Sequence, residues 1–322
     1  MPARRARGVI GRRSMRRGTD LKILLLGKTG QIGQELQRTL PILGELSPLG
    51  RAEVDLSDQD SLRHALTLHR PDVIVNAAGH TDVDAAESQR DLCANINTDA
   101  VAALARHAHA TGALLVQYST DYVFDGAKPS PYTESDTPNP RNVYGVTKLG
   151  GEAAILASGC DALIVRCSWV YATHGRNFPN TVLRLARTRD RLDVVADQVG
   201  APTSAARIAH ITAKAIQARR EQGLPSGIYH LAASGSTTWH AYARYLVVGA
   251  TARGMPLRLS PGRIYAVTSK DYPSAAIRPH NSRMDSSRLA KALEIHMPDW
   301  SLDVDTLLDE LSQCEPDARE KT

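Results

Sequence analysis

The stretch LKILLLGKTGQIGQELQRTLP, residues 21–41, constrains the fold more than any other part of the 322-residue chain. Its first six residues are apolar except for Lys22, and the run stops at a glycine, as a buried parallel strand does. Gly27, Gly30 and Gly33 follow at three-residue intervals, and helical spacing then continues to Pro41. A strand that delivers into such a turn and then a helix brings backbone close to a phosphate and points the helix N-terminus at it. An ordinary glycine-rich turn is the alternative reading. No G-K-[ST] closes the segment, so it is not a P-loop.

The same alternation continues along the chain. A weakly written second strand lies in ELSPL (45–49), a buried third in PDVIVNAAG (71–79) and a fourth in ALLVQYSTDYVF (113–124). ALIVRCSWVY (162–171) reads as one further strand and GIYHLAA (227–233) as the last of the sheet. Between them, LCANINTDAVAALARHAHATG (92–112) and NVYGVTKLGGEAAILAS (142–158) carry helical patterns. Strands alternating with helices predict an α/β fold: a doubly wound parallel sheet with helices on both faces. After Tyr171 loops lengthen and Pro, Gly and Asn become frequent, so residues 172–300 read mainly as a smaller interleaved C-terminal lobe that faces substrate. Residues 301–322 read as a C-terminal helix and tail.

The net charge of +5 points toward nucleic acid until it is located. Residues 1–20 hold seven arginines and one acid, Asp20, which leaves the body of the chain one charge negative. A basic nucleic-acid face is therefore not expected. The leader itself reads as dispensable, with translation starting at Met15; a targeting segment or an arm for an acidic surface are the other readings. No run of eighteen apolar residues occurs, so no membrane span is expected. Cys93, Cys160, Cys167 and Cys314 form no metal-binding spacing and read as thiols of a reducing compartment, the cytoplasm.

Chemistry concentrates at the strand ends. Tyr144 precedes Lys148 by four residues, which stacks them on one face of a helix. Ser119, Thr120 and Asp121 stand at the C-terminal end of a strand, where open α/β sheets hold ligands. A hydroxyl, a tyrosine and a lysine are the set needed to protonate a carbonyl that accepts hydride, because tyrosine is protonated at neutral pH and an ammonium stabilises its anion. After the second strand stand Gly50 and Arg51 where an acid often meets a ribose hydroxyl. A guanidinium there suits a 2′-phosphate, and so NADPH over NADH; a solvated arginine in a turn is the alternative. Asp55 and Leu56 are placed to bond and cover an adenine. The small residues of NAAGHT (76–81) let a cofactor lie against the backbone.

With these motifs in place, the sequence resembles the extended short-chain dehydrogenase/reductase superfamily, and within it the dTDP-4-dehydrorhamnose reductases. GKTGQIGQELQ, RPDVIVNAAGHTDVDAAE, YSTDYVFDG, NVYGVTKLGGE, RCSWVYATHGRNF, DQVGAPTS, YHLAASGSTTWHAYA and RPHNSRMD carry the resemblance in order from residue 27 to 285. It implies a Rossmann-type domain over 21–171 with the late strand near 227–233. It implies Tyr144 as proton donor, Lys148 as its partner and Thr120 as the group that binds the keto oxygen. The cofactor would lie along Gly27, Gly30, Gln31, Ile32 and Gly33, then Arg51, Asp55 and Leu56. It would continue past Ala78, Gly79, His80 and Tyr118 to Tyr144 and Lys148. The deoxysugar would meet Thr81, Thr120, Asp121, Tyr122, Tyr144 and Trp169, although a core tryptophan is the plain reading of Trp169. The implied reaction is NADPH-dependent reduction of the C4 ketone of dTDP-4-dehydro-β-L-rhamnose, the last step to dTDP-β-L-rhamnose.

Gly79 departs from the alanine associated with that position. Some relatives are said to pair subunits through magnesium held by carboxylates. Glu35 fits that pattern, but Ala206 and Ser301 stand where the other acids are expected, so no metal and a monomer or weak homodimer are expected. The rival readings are a reductase of another nucleotide-linked 4-keto-6-deoxyhexose and a non-catalytic dinucleotide-binding relative.

Overall fold

The computed structural model describes residues 21–313. The readings made for the basic leader, for Cys314 and for the end of the tail lie outside the described residues.

Six parallel strands form the central sheet: β1 (Leu21–Leu26), β2 (Gly44–Leu49), β3 (Val73–Asn76), β4 (Leu114–Thr120), β5 (Ala162–Cys167) and β6 (Gly227–Leu231). Their spatial order is β2-β1-β3-β4-β5-β6. The weakly written second strand is thus an edge strand. Its Pro48, paired with Leu25, is tolerated there because an edge strand has one side without ladder partners. The chain leaves β1 toward β2 on one side and returns to β3 on the other. The connections diverge at that point and open a crevice above the strand ends.

The helices are α1 (Gln31–Thr39), α2 (Gln59–His69), α3 (Val83–Ser88), α4 (Arg90–Ala94), α5 (Ala100–Thr111), α6 (Val143–Ser158), α7 (Phe178–Thr188), α8 (Ala205–Glu221), α9 (Trp239–Ala252), α10 (Ser287–Ala292) and α11 (Trp300–Gln313). The two-residue period of β1 assigns the layers. Ile23 and Leu25 pack with Leu36 of α1 and with Ile208 and Ile216 of α8. Leu24 and Leu26 pack with Leu62 of α2, Leu104 of α5 and Ile155 of α6. The helix expected over 92–112 begins at Arg90 and contains a π turn, Asn95–Asp99, before it stops at the left-handed Gly112.

Several of the expected strands are shorter than the sequence reading; the one expected over 71–79 spans only Val73–Asn76. The apolar stretch 113–124 leaves the sheet at Thr120 and coils into a 3₁₀ turn, Asp121–Val123. The stretch 162–171 breaks after Cys167, where Trp169 takes φ +46°, and resumes as Val170–Tyr171 paired with Thr203–Ser204. The last strand ends at Leu231 rather than Ala233. Beyond the break, Tyr171 joins a second core with Val182 and Leu183 of α7, Tyr242 and Leu246 of α9, and Val304 and Leu308 of α11.

The glycine turn is set by packing. Gly27 has φ +87°, and a Cβ on Gly33 would stand 2.0 Å from the Gly27 carbonyl oxygen. Gly33→Ala must therefore lift α1 from β1. Overpacking of this kind costs about 1–3 kcal/mol, and a denaturant midpoint lowered accordingly is the expected result. An unchanged midpoint would show that the contact relaxes freely.

Candidate active site

The crevice is a cavity of about 540 Å³ at the C-terminal ends of β1, β3 and β4. That volume lies within the range of small-molecule sites. Gly27, Gly30, Gln31 and Ile32 form one wall. Gly33 does not line the cavity; it lies behind the wall, against Gly27. At Gly30 a Cβ would make only ordinary contacts, 3.4 Å and 4.0 Å from the nearest protein atoms. Protein packing alone does not require glycine there, and the open side is the cavity. No side chain caps α1, so its first N–H groups remain available to an anion. These features fit a dinucleotide diphosphate.

The far end of the same wall carries Gly50, Arg51, Asp55 and Leu56. The Arg51 side chain is 77% exposed and stands 3.9 Å from Asp55 Oδ2. Asp55 accepts from both the Ser57 hydroxyl and the Ser57 N–H, which hold its carboxyl below the ordinary range. An acid that the sequence reading missed, Glu53, accepts from Gly50 N–H at 2.7 Å and pairs with Lys28 at 2.6 Å. It closes the turn after β2 and ties that turn to Lys28 of the glycine loop.

The opposite wall follows β3. Ala77, Ala78, Gly79 and Thr81 line the cavity. His80 does not. Asn97, in the π turn, accepts from His80 N–H at 2.9 Å and donates to its carbonyl at 3.0 Å, while the ring meets Gln89. The His80 contribution is the shape of the turn.

At the end of β4, the Tyr118 ring faces the other layer, with its hydroxyl 2.7 Å from Thr212, so the backbone carbonyl is what meets Lys148. Thr120 hydroxyl donates to Asp121 Oδ1 and accepts from Tyr122 N–H. Asp121 is buried, its Oδ2 has no hydrogen-bond partner, and desolvation pushes its carboxyl up to about 6.

Tyr144 and Lys148 enter on α6, whose first turn is fixed by Asn142 accepting from Gly145 N–H. Burial raises the Tyr144 hydroxyl above its ordinary pKa, and a hydrogen bond with Thr120 opposes that shift. The Tyr144 ring meets Tyr122 edge-on at 5.7 Å. Lys148 is buried, and its ammonium donates to the Tyr118 carbonyl at 2.6 Å. Desolvation lowers it to about 8, and Glu152, one turn further along α6, opposes the shift. Glu152 accepts from the Ser119 hydroxyl and from Arg166 Nε and Nη2. Sequence reasoning missed Glu152 and Arg166, although an arginine inside the apolar run ALIVRC signals a buried counter-charge. Cys167, read as an incidental thiol, lines the cavity, where burial keeps it neutral.

Trp169 lines the cavity and also packs: its ring stacks on Trp239 at 3.4 Å and covers Gly200. The ring thus packs as the plain reading has it and also reaches the cavity.

The Glu35 region does not present a magnesium donor set. Glu35 pairs with Arg38 at 3.2 Å and faces His174, and Asp303 is held by Arg207 at 2.7 Å. Among the described residues no group of three or more His, Cys, Asp or Glu is arranged to hold a metal ion, and no helix is long and apolar enough to cross a membrane.

The family model described as the RmlD substrate binding domain matches residues 21–313. The chain is 44% identical over 295 residues to the dTDP-4-dehydrorhamnose reductase of Escherichia coli (strain K12), covering 90% of this chain and 98% of that protein. It is 43% identical over 284 residues to the Burkholderia thailandensis protein of the same name, covering 87% and 95%. A Bacillus anthracis dTDP-4-dehydrorhamnose reductase, solved in complex with NADP, superposes with a TM-score of 0.82 at 30% identity, covering 91% of this chain and 100% of that one. The fold, the crevice and these likenesses together place the chain in the dTDP-4-dehydrorhamnose reductase family.

Proposed function

We propose that the protein reduces the C4 ketone of dTDP-4-dehydro-β-L-rhamnose with NADPH, giving dTDP-β-L-rhamnose. The observation that carries the reading is the convergence of Thr120, Tyr144 and Lys148 on one cavity whose other wall is the glycine turn. NADPH, when bound along Gly27–Ile32, supplies the hydride. Arg51 is placed at the end of that wall to meet a 2′-phosphate.

The Thr120 hydroxyl holds the C4 oxygen beside Tyr144. Burial keeps Tyr144 protonated at neutral pH, so the phenol has a proton to give. As negative charge develops on the carbonyl oxygen, Tyr144 donates that proton. The Lys148 ammonium lowers the cost of the phenolate left behind. Asp121 Oδ2, buried without a partner, accepts a sugar hydroxyl. Trp169 covers the deoxysugar. In this reading residues 21–171 with β6 bind the dinucleotide, and residues 172–300 mainly bind the nucleotide sugar.

Turnover of the 4-keto sugar with NADPH and with NADH, with the product configuration at C4 read by NMR, tests the whole reading. Tyr144→Phe keeps the ring and removes the proton. General acid catalysis contributes about 10²–10⁴-fold, so kcat falls by that factor with the fold intact; near-normal turnover would sink the assignment. Lys148, with Glu152, Cys93 and Cys167 around it, loses its charge as pH rises through about 8. Activity is therefore full below that pH and declines above it, and a profile flat to pH 10 (roughly the free-lysine range) contradicts the role given to Lys148. Arg51→Ala weakens NADPH binding by about tenfold or more, the value of a charge-assisted bond, and spares NADH. Equal loss for both cofactors would mean that Arg51 only supports the turn.

A further inference from the structure

Among the described residues, three cations line the cavity: Lys148, Arg51 and Arg176. Lys148 is spent deep in the site on the Tyr118 carbonyl, and Arg51 stands beside Asp55 at the end of β2. Arg176 has no part in the reading above.

Arg176 belongs to the loop 172–177, which crosses over the glycine turn and is held there firmly. Asn177 Nδ2 donates to Gln31 Oε1 at 2.8 Å and to the Ala172 carbonyl at 2.8 Å, and Asn177 Oδ1 accepts from Asn180 N–H at 3.0 Å to cap α7. Asn180 Nδ2 donates back to the carbonyls of Thr173 and Gly175. The Arg176 backbone is thus fixed above the N-terminus of α1.

Its side chain is not fixed in the same way. It is 89% exposed and reaches Asp82 Oδ2 at 3.4 Å. Asp82 lies between Thr81 and Val83 of the opposite wall, and its Oδ1 caps α3 by accepting from Ala85 N–H. The pair therefore spans the mouth of the cavity, from the loop over α1 to the β3 wall. An exposed ion pair of this length contributes little to stability, so a stronger anion between the two walls displaces the carboxylate without loss to the fold. The guanidinium fork matches two phosphate oxygens, and the uncapped N-terminus of α1 faces the same space.

We propose that Arg176 binds a diphosphate in this site, exchanging Asp82 for the diphosphate of the dinucleotide and closing the cavity mouth over it. The inference rests on the reading that the cavity holds a dinucleotide. A nucleotide sugar also carries a diphosphate; the cofactor is favoured because the loop is anchored to Gln31, the first residue of α1.

The test is equilibrium binding of NADPH and NADH to the full chain, followed by the fluorescence of the reduced nicotinamide, with dTDP binding measured by calorimetry. Arg176→Ala is expected to weaken both reduced cofactors alike by about tenfold or more, to flatten the dependence of Kd on salt, and to leave dTDP unaffected. The equal effect on NADPH and NADH separates Arg176 from Arg51. Asp82→Asn keeps a cap on α3 but removes the competing charge, and is expected to tighten both cofactors by about two- to fivefold. Unchanged cofactor binding in Arg176→Ala overturns the proposal. So does weakening by Asp82→Asn, which would make the pair a structural strap. Loss of dTDP binding alone in Arg176→Ala would assign the residue to the sugar nucleotide and overturn it as well. If the unaltered chain binds neither reduced cofactor, the cavity reading fails first and this inference falls with it.

Discussion

The buried ion pair between Arg166 on β5 and Glu152 on α6 holds the helix that carries Tyr144 and Lys148 to the sheet. Both side chains are 1% exposed, and their two hydrogen bonds of 2.9 Å and 2.6 Å form a fork. Such a pair adds little net stability over an apolar contact, but removing one partner leaves a bare buried charge at a cost of about 3–5 kcal/mol. The arrangement is therefore effectively all or nothing. Arg166 also lies 5.1 Å from the centre of the Phe124 ring. Together with desolvation, it drives the buried His230 down to about 3, so that imidazole stays neutral. Glu152 in turn binds Ser119 at the end of β4 and counters the desolvation of Lys148. One ion pair thus links the strand end, the helix and the charge state of the lysine.

The cavity is built from two bodies of structure that meet along it. The sheet ends supply rigid backbone: the glycine turn, the β3 turn held by Asn97, and the Thr120 corner. The segment beyond β5 supplies cover. Trp169 is the joint between them, because its ring belongs to the Trp239 stack while its edge lines the cavity. Phe178 and Tyr242 extend the stack toward the second core. A movement of that core relative to the sheet would be felt at Trp169 directly.

Much of this was legible because it is written locally. The apolar run Leu21–Leu26, the glycine spacing after it and the helical pattern beyond it are short-range signals, and β1, its turn and α1 follow them. The Tyr144–Lys148 spacing needs only a helix to place both groups on one face. The end of the strand beginning at Ala162 was not legible, because CSWVY contains no Gly or Pro. The break is imposed by Gly200 and Trp239, far along the chain, which take the Trp169 ring between them. His80 looked like a cavity residue for the same reason. Only the π turn, which brings Asn97 to its backbone, shows that it is not one.

By itself, then, the sequence determined the alternation of strand and helix, the glycine turn and the placing of Tyr144 and Lys148 one turn apart on α6, since each depends on neighbours within a few residues. Tertiary structure alone decided the pairings that cross the chain. Glu152 meets Arg166, Glu53 meets Lys28, and Arg176 reaches across to Asp82. Charge and distance govern such pairings, and the distances between segments exist only after the sheet has ordered its strands.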